Sequence, residues 1–482
     1  MEILDLPAHR LSRAIRDREV SCREVMQATL ERIDAVNPTY NAIVSLRDPD
    51  VLLHEAEACD AQLRERDPNS IGVLHGIPQA IKDAVPTAGI RTTFGSPLLR
   101  DSVPTQDALM VQRMKAAGCI VIGKTNLPEF GLGSHTFNEV FGITRNAYDP
   151  SKSAGGSSGG AAVALAMRML SVADGSDFMG SLRNPAAWNN VFGMRPSEGR
   201  VPRWPAQDVF VTLLSTEGPM GRTVRDVAAL LDVQAGYDPR TPRSLDGDTR
   251  YAQSLDGFDP VAVRIGWLAD LDGHLPMEAN ILEVCERGLR RLESAGCAVS
   301  RVAPNFSPEA VWNAWLVWRR WLVGARIAAH LREPAHRAQV KPEALWEYDQ
   351  SLHLTGEAVW NASAERSTFY QRMLALFGQH DVLALPTAQV WPFDATLRWP
   401  ASIDGREMDT YHRWMEVVIY ATFAGLPCIS VPVGFNDGGL PMGMQLIGPP
   451  RGDLAVLRLA HAYEQSARDV LDVRPPTRNL SR

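Results

Sequence analysis

The stretch that most limits what this chain can become is Ser153-Ala154-Gly155-Gly156-Ser157-Ser158-Gly159-Gly160, which runs directly into the apolar segment from Ala161 to Leu170. Its glycines open backbone conformations closed to other residues. A flexible Gly/Ser linker has no reason to pass straight into an apolar run, so the pattern reads as a tight turn opening a helix. Such a turn presents free backbone N–H groups and the positive end of the helix dipole. That setting suits an anion, whether a phosphate or the oxyanion of an attacked carbonyl. The serines add hydroxyls able to act as nucleophile or relay. Ser181, 24 positions after Ser157, stands in a second such loop, Gly175-Ser176-Asp177-Phe178-Met179-Gly180-Ser181-Leu182-Arg183.

Around these loops the periodicities alternate between helix and strand. Ala8 to Val36 reads as two amphipathic helices, the second opened by a capping box at Ser21 and Glu24. Val51 to Arg66 continues as helix, stopped at Asp67-Pro68-Asn69. Leu74 to Asp83 reads as a turn and a short strand with Lys82 near its end, Ala108 to Ala117 as helix, and Cys119 to Ile122 as buried strand. Val224 to Gln234 is helical, Arg240 to Pro260 turn-rich, Val263 to Leu268 a strand and Ala279 to Ala295 a helix. From Ser307 to Phe377 the texture is mostly helical, with Trp312, Trp315, Trp318 and Trp321 at i, i+3 spacing. Cys428 to Val433 and Met442 to Ile447 flank Asn436-Asp437-Gly438-Gly439 as a hairpin, and Leu454 to Ala467 closes as helix. Strands alternating with helices predict an α/β architecture with parallel pairing. At 482 residues the chain exceeds one usual core, so one large or two smaller domains are expected.

The remaining chemistry is narrowed by exclusion. A net charge of −7 without a basic block argues against nucleic acid as partner. The six cysteines are scattered, with no C-x-x-C pair, and read as reduced thiols of a cytoplasmic protein. No signal-peptide core or long apolar span is present, so neither export nor membrane crossing is expected. Gly118 to Thr125 fits G-x-x-x-x-G-K-[ST] letter for letter, yet the four intervening residues are themselves strand-like and Pro128 follows too soon for a helix. A nucleotide loop is therefore not expected. The 11 histidines show no supporting catalytic motif and H-E-x-x-H does not occur, which leaves the serines without an imidazole base and gives no metal site. A lysine can serve instead if burial lowers its pKa. Lys82, in the apolar setting of Ile77, Ala80 and Ile81, is the candidate; local sequence alone equally allows a solvated surface lysine.

Gly76-Ile77-Pro78 to Lys82-Asp83, Gly123-Lys124-Thr125-Asn126, Gly155 to Gly160, Gly175 to Pro185, Gly218 to Asp226 and Gly425 to Gly448 together resemble the amidase signature family. The likeness spans nearly the whole chain and is weakest from Tyr237 to Leu385. It implies an amidase-signature α/β fold, a central mixed sheet flanked by helices in a single domain over residues 1–482. The helical insertion near 307–377 would form part of the substrate pocket. It implies an amidohydrolase in which Ser181 is the nucleophile, Ser157 the bridging serine after a cis Gly156–Ser157 bond, and Lys82 the base. Backbone N–H groups of Phe178, Met179, Gly180 and Ser181 would form the oxyanion hole, with Ser158, Ser176, Asp177 and Arg183 supporting them. Met179 departs from the glycine common in relatives; it reads as a change of pocket shape or as core packing. Gly131, Leu132 and Trp315 match or suggest a pocket for an aryl or bulky apolar amide, although a tryptophan stripe is equally a packing feature. No cofactor or metal is implied. The expected partner is a small-molecule amide or carbamate, with room for a homodimer. A carbamate- or ester-cleaving enzyme would share the site. The amidotransferase A subunit, which works on aminoacyl-tRNA with partner chains, is the alternative of another class.

Overall fold

The computed structural model describes residues 3–67, 70–212, 214–247 and 250–476. The helix stop expected at Pro68-Asn69, and 248–249 of the turn-rich stretch, lie outside these residues. Local signals set the first elements. Ser21 Oγ accepts the Glu24 N–H at 3.1 Å while Glu24 Oε2 accepts the Ser21 N–H at 2.8 Å, and the helix Cys22–Tyr40 starts there. Asp48 caps the helix Pro49–Glu65 in the same manner, accepting the Asp50 N–H at 2.9 Å. Pro78–Lys82 is a fully buried strand. It runs parallel to Ile120–Thr125, which it reaches through the helix Leu109–Ala116, and Ile43–Val44 completes this small sheet antiparallel to the middle strand.

The phosphate-loop look-alike is thereby excluded. Its residues Ile120 to Thr125 are strand, and the Lys124 ammonium donates to Val85 O at 2.6 Å and Thr87 Oγ1 at 2.9 Å. No helix opens after it.

The large sheet has eight strands in the order Ala298–Arg301, Arg264–Trp267, Val382–Pro386, Pro441–Ile447, Cys428–Phe435, Phe192–Arg195, Thr216–Gly221 and Val172–Asp177. The fold is thus α/β with a large mixed sheet flanked by helices. Within this mixed sheet, parallel pairing is confined to the first three of these strands; every other pair in the sheet is antiparallel. The reason is connectivity. Arg264–Trp267 and Ala298–Arg301 are joined by the crossover helix Ile281–Ser294. Cys428–Phe435 and Pro441–Ile447 are instead joined by a short turn that only an antiparallel pair accepts, with Asn436 Oδ1 holding the Gly438 and Leu440 N–H groups at 3.0 Å.

Between them the chain makes three helices, Pro308–Ala328, Pro342–Ser351 and Gly356–Phe377. The i, i+3 stripe lies on one face of the first, where Trp312, Trp315 and Trp318 are buried and Trp321 is half-buried. A small apolar cluster of Phe130 and Leu132 with Val323, Ile327, Leu331, Val340 and Ala344 packs these helices against the loop after Ile120–Thr125. No described helix is long and apolar enough to cross a membrane. All six cysteines are unpaired thiols.

Candidate active site

Lys82 ends a buried strand and is itself only 1% exposed, so the solvated-lysine alternative is gone. Its backbone N–H donates to Asp174 Oδ2 at 3.1 Å, which fixes the strand end. Its Nζ meets three hydroxyls: Ser157 Oγ at 2.8 Å, Ser158 Oγ at 2.9 Å and Ser176 Oγ at 3.0 Å. Burial pushes this ammonium down to about 7, against the opposing pull of Asp174, Asp177 and Glu217. An amine in this position exchanges its proton readily near neutrality.

Ser157 and Ser158 follow the Gly-rich turn and precede the wholly buried helix Gly159–Ala166. Gly156–Ser157 is a cis peptide. Ser134 Oγ donates to Gly156 O at 2.9 Å and Thr136 Oγ1 to Gly155 O at 2.8 Å, so the turn is held by side chains from a neighbouring loop. Gly155 has φ +74, and a Cβ on Gly160 would stand 2.4 Å from Asn126 N, so neither position admits a side chain. The Ser158 N–H donates to Ser181 O at 3.1 Å, tying the two serine loops together.

Ser181 sits in the turn between Val172–Asp177 and the helix Arg183–Trp188, and Asp177 is the hub of that turn. Its carboxylate accepts the Gly180 N–H at 2.9 Å, the Leu182 N–H at 3.2 Å and two Arg183 nitrogens at 2.9 Å. Burial by itself would raise this carboxyl, but Arg183 and then Arg195 outweigh it and hold Asp177 well below the usual carboxylate range. The Arg183 guanidinium also reaches Gln445 Oε1, Val418 O and Thr422 Oγ1, which anchors the turn to the large sheet.

Lys82, Ser157, Ser176, Ser181, Gly131 and Leu132 line one small cavity of about 80 Å³, together with Phe178 and Met179. A Cβ on Gly131 would come 3.5 Å from Ser157 Oγ. The Gly180 N–H, expected among the oxyanion donors, donates to Asp177 Oδ1 at 2.9 Å, unlike the amides of Phe178, Met179 and Ser181. One sequence expectation needs correction. Trp315 does not line the cavity. It is fully buried behind Phe178, with the two rings tilted at 49° and their centroids 5.4 Å apart, since the i, i+3 stripe faces the core along most of its length. The Met179 thioether packs inward and accepts a long contact from Arg319 Nη1 at 3.5 Å.

Four further charged side chains line the cavity that sequence reasoning did not single out: Arg203, Glu217, Arg319 and Arg326. Glu217 stands in the otherwise uncharged strand Thr216–Gly221, a usable signal that a buried carboxyl is there for a reason; burial raises it to about 7. Arg319 lies amid the tryptophans, another charged residue on an apolar face. Arg203 and Arg326 carry no local signal. The cavity adjoins a second of about 410 Å³, and Phe94, Phe178, Arg203, Ser215 and Arg326 line both. Trp321 walls the larger one. An open groove of about 760 Å³ shares Glu198, Arg243 and Ser244 with the larger cavity and is lined by neither Lys82 nor Ser157, Ser158, Ser176 or Ser181. Among the described residues no three His, Cys, Asp or Glu side chains group so as to hold a metal ion.

The chain is similar to known proteins over nearly its whole length. The amidase family model matches residues 24–457. The chain is 35% identical over 481 residues to the glutamyl-tRNA(Gln) amidotransferase A subunit from Thermus thermophilus, covering 95% of this chain and 97% of that protein. It is 32% identical over 475 residues to an acylamidase of Rhodococcus erythropolis, with coverage of 98% and 97%. Among solved structures, a bacterial aryl acylamidase of the amidase signature enzymes superposes with a TM-score of 0.89 at 29% identity, covering 98% of this chain and 99% of the other. A 6-aminohexanoate cyclic dimer hydrolase complexed with substrate gives 0.86 at 25% identity, over the whole of both chains.

Proposed function

The chain belongs to the amidase signature family and is an amidohydrolase, and from that premise we propose that it cleaves a small carboxylic amide through Ser181, Ser157 and Lys82. The observation that carries the reading is the 2.8 Å contact between Lys82 Nζ and Ser157 Oγ on a lysine whose burial brings it to about 7. In its neutral form Lys82 accepts the Ser157 proton while Ser157 Oγ accepts that of Ser181. Ser181 Oγ then adds to the amide carbonyl carbon. The oxyanion is met by the N–H groups of Phe178, Met179 and Ser181. Collapse breaks the C–N bond, the relay returns a proton to the departing amine, and an acyl ester stays on Ser181. Water, deprotonated through the same relay, attacks the ester; the acid leaves and Ser181 regains its proton. Ser158 and Ser176 hold the lysine, and Asp177 with Arg183 holds the turn.

An aryl or bulky apolar amide fits the larger cavity, whose walls include Phe94, Phe178 and Trp321. Carbamates and esters would use the same attack, differing only in the leaving group. A second reading, an amidotransferase A subunit, is favoured by the 35% identity to one such protein; it predicts a co-purifying partner chain and weak turnover by the isolated protein. The test is hydrolysis of a short aliphatic amide, an anilide, an aryl carbamate and a cyclic oligoamide by the wild type and by Ser181→Ala. Turnover of any member that disappears in the variant supports the reading. Turnover that survives in Ser181→Ala removes Ser181 from its role.

A further inference from the structure

Arg203 and Arg326 stand where the cavity holding Ser181 meets the larger chamber, and both line each. The other guanidiniums here are matched by carboxylates: Arg183 by Asp177 at 2.9 Å and Arg319 by Glu347 at 2.5 Å. Arg326 is not. It donates to Phe130 O at 3.1 Å, and no described carboxylate lies within ion-pair distance of it. Arg203 and Arg319 add to the positive charge around it, and its own side chain is exposed to solvent. Arg203 has only Glu217, at 3.7 Å, a carboxyl that burial has already raised to about 7.

The remaining acids on the chamber wall are committed elsewhere. Glu198 pairs with Arg243 at 3.0 Å and Arg366 at 3.5 Å. Asp208 accepts three N–H groups of its own turn, those of Phe210, Val211 and Thr212. Two guanidiniums that solvent reaches, beside an apolar chamber and with one weak counter-charge between them, leave donors open to an anion. The planar donor fork of arginine suits a carboxylate.

We propose that Arg203 and Arg326 form a subsite for a carboxylate carried by the substrate, so that the preferred amides bear an acid group within a few bonds of the scissile C–N bond and an apolar body in the larger chamber. This rests on the amidase reading for where the substrate lies, and names its substrate class. Glu217, when protonated, can donate to the same carboxylate rather than repel it.

The test pairs each acid with a neutral analogue of similar shape: succinic monoanilide with butyranilide for the acyl side, and 4-acetamidobenzoate with 4-methylacetanilide for the amine side. Binding to Ser181→Ala is measured by calorimetry, and kcat/KM with wild type, Arg326→Gln, Arg203→Gln and Arg326→Lys, each checked for folding by circular dichroism. In at least one pair the acid is expected to be favoured about tenfold or more, the size of a charge-assisted contact. The preference should shrink with added salt and collapse in Arg326→Gln or Arg203→Gln, with partial retention in Arg326→Lys. Equal binding of acid and neutral partners in both pairs, or a preference that survives both glutamine variants, overturns the subsite. Turnover of the neutral anilides without acid preference leaves hydrolysis standing and removes the subsite. Acid-selective, arginine-dependent binding without turnover does the reverse.

Discussion

At the scale of single residues the argument turns on one proton. Lys82 is active as a base only when neutral, and burial sets its loss of the proton at about 7. Below that value the ammonium dominates, so kcat/KM should fall about tenfold per pH unit toward acid and level off above it. A profile that stays flat into acid, with chemistry shown to be rate-limiting, would remove Lys82 from this role. Glu217 tests the electrostatics. Its carboxylate favours the charged lysine, so Glu217→Gln should move the acid limb of the profile to lower pH; a limb that stays put or moves to higher pH contradicts the coupling. Lys82→Ala should cost about 10²–10⁴ in kcat. Ser158→Ala loses one 2.9 Å contact to Nζ but keeps the backbone bond to Ser181 O, so a loss of about fivefold, near 1 kcal/mol, is expected. Steady-state kinetics on one anilide separates the two. That Lys82, Ser157 and Ser181 would meet in one cavity was legible from the family resemblance of their motifs. Arg203 and Arg326 were not, because only the fold brings positions so far apart in sequence to one cavity mouth.

At the scale of elements, the turn from Asp177 to Arg183 carries the nucleophile, and its shape depends on two things. One is Gly180, whose φ is +78 and whose Cβ would meet the Val418 side chain at 2.7 Å. Gly180→Ala should therefore lower kcat, and adding Val418→Ala should recover only part, since the backbone demand remains. The other is the buried ion pair. Asp177→Asn leaves Arg183 and Arg195 without their charge partner and should cost about 3–5 kcal/mol in urea unfolding at neutral pH. The sign with pH follows from a carboxyl held below its unfolded value: its stabilisation is present above about 4 and lost as pH falls below that, so the gap between wild type and variant should narrow on acidification. Such local signals were readable in advance. The Ser21–Glu24 box and the Asn436 turn each use side chains within a few residues. Beyond that hairpin, strand direction in the large sheet was not, because Val382–Pro386 takes its antiparallel neighbour from Pro441–Ile447, and nothing local to either strand announces the other.

At the scale of the whole molecule, side chains from the segment between Pro308 and Phe377 reach the loop after Ile120–Thr125 and the turn that carries Ser181. Arg326 donates to Phe130 O, Lys341 Nζ to Leu132 O at 2.7 Å, and Arg319 reaches Met179. The tryptophan spacing announced a buried face on the first helix but not which residues would point past it into the site. Arg319 distinguishes packing from positioning. Arg319→Leu strands Glu347, a fully buried carboxylate left with the Tyr411 hydroxyl at 2.7 Å, and should cost about 3–5 kcal/mol. In Arg319→Leu/Glu347→Leu both charges are gone and most of that stability should return, because an apolar pair of similar volume replaces the ion pair. Activity should not return with it. Met179, beside Ser181, has still lost the guanidinium that faces its sulfur, and a backbone amide proposed to meet the oxyanion depends on how Met179 sits. The expected result is a double variant near wild type in urea midpoint but with kcat lower by about tenfold and KM little changed. If stability and kcat recover together, Arg319 is a packing residue only, and the helical segment walls the site without setting the geometry of its chemistry.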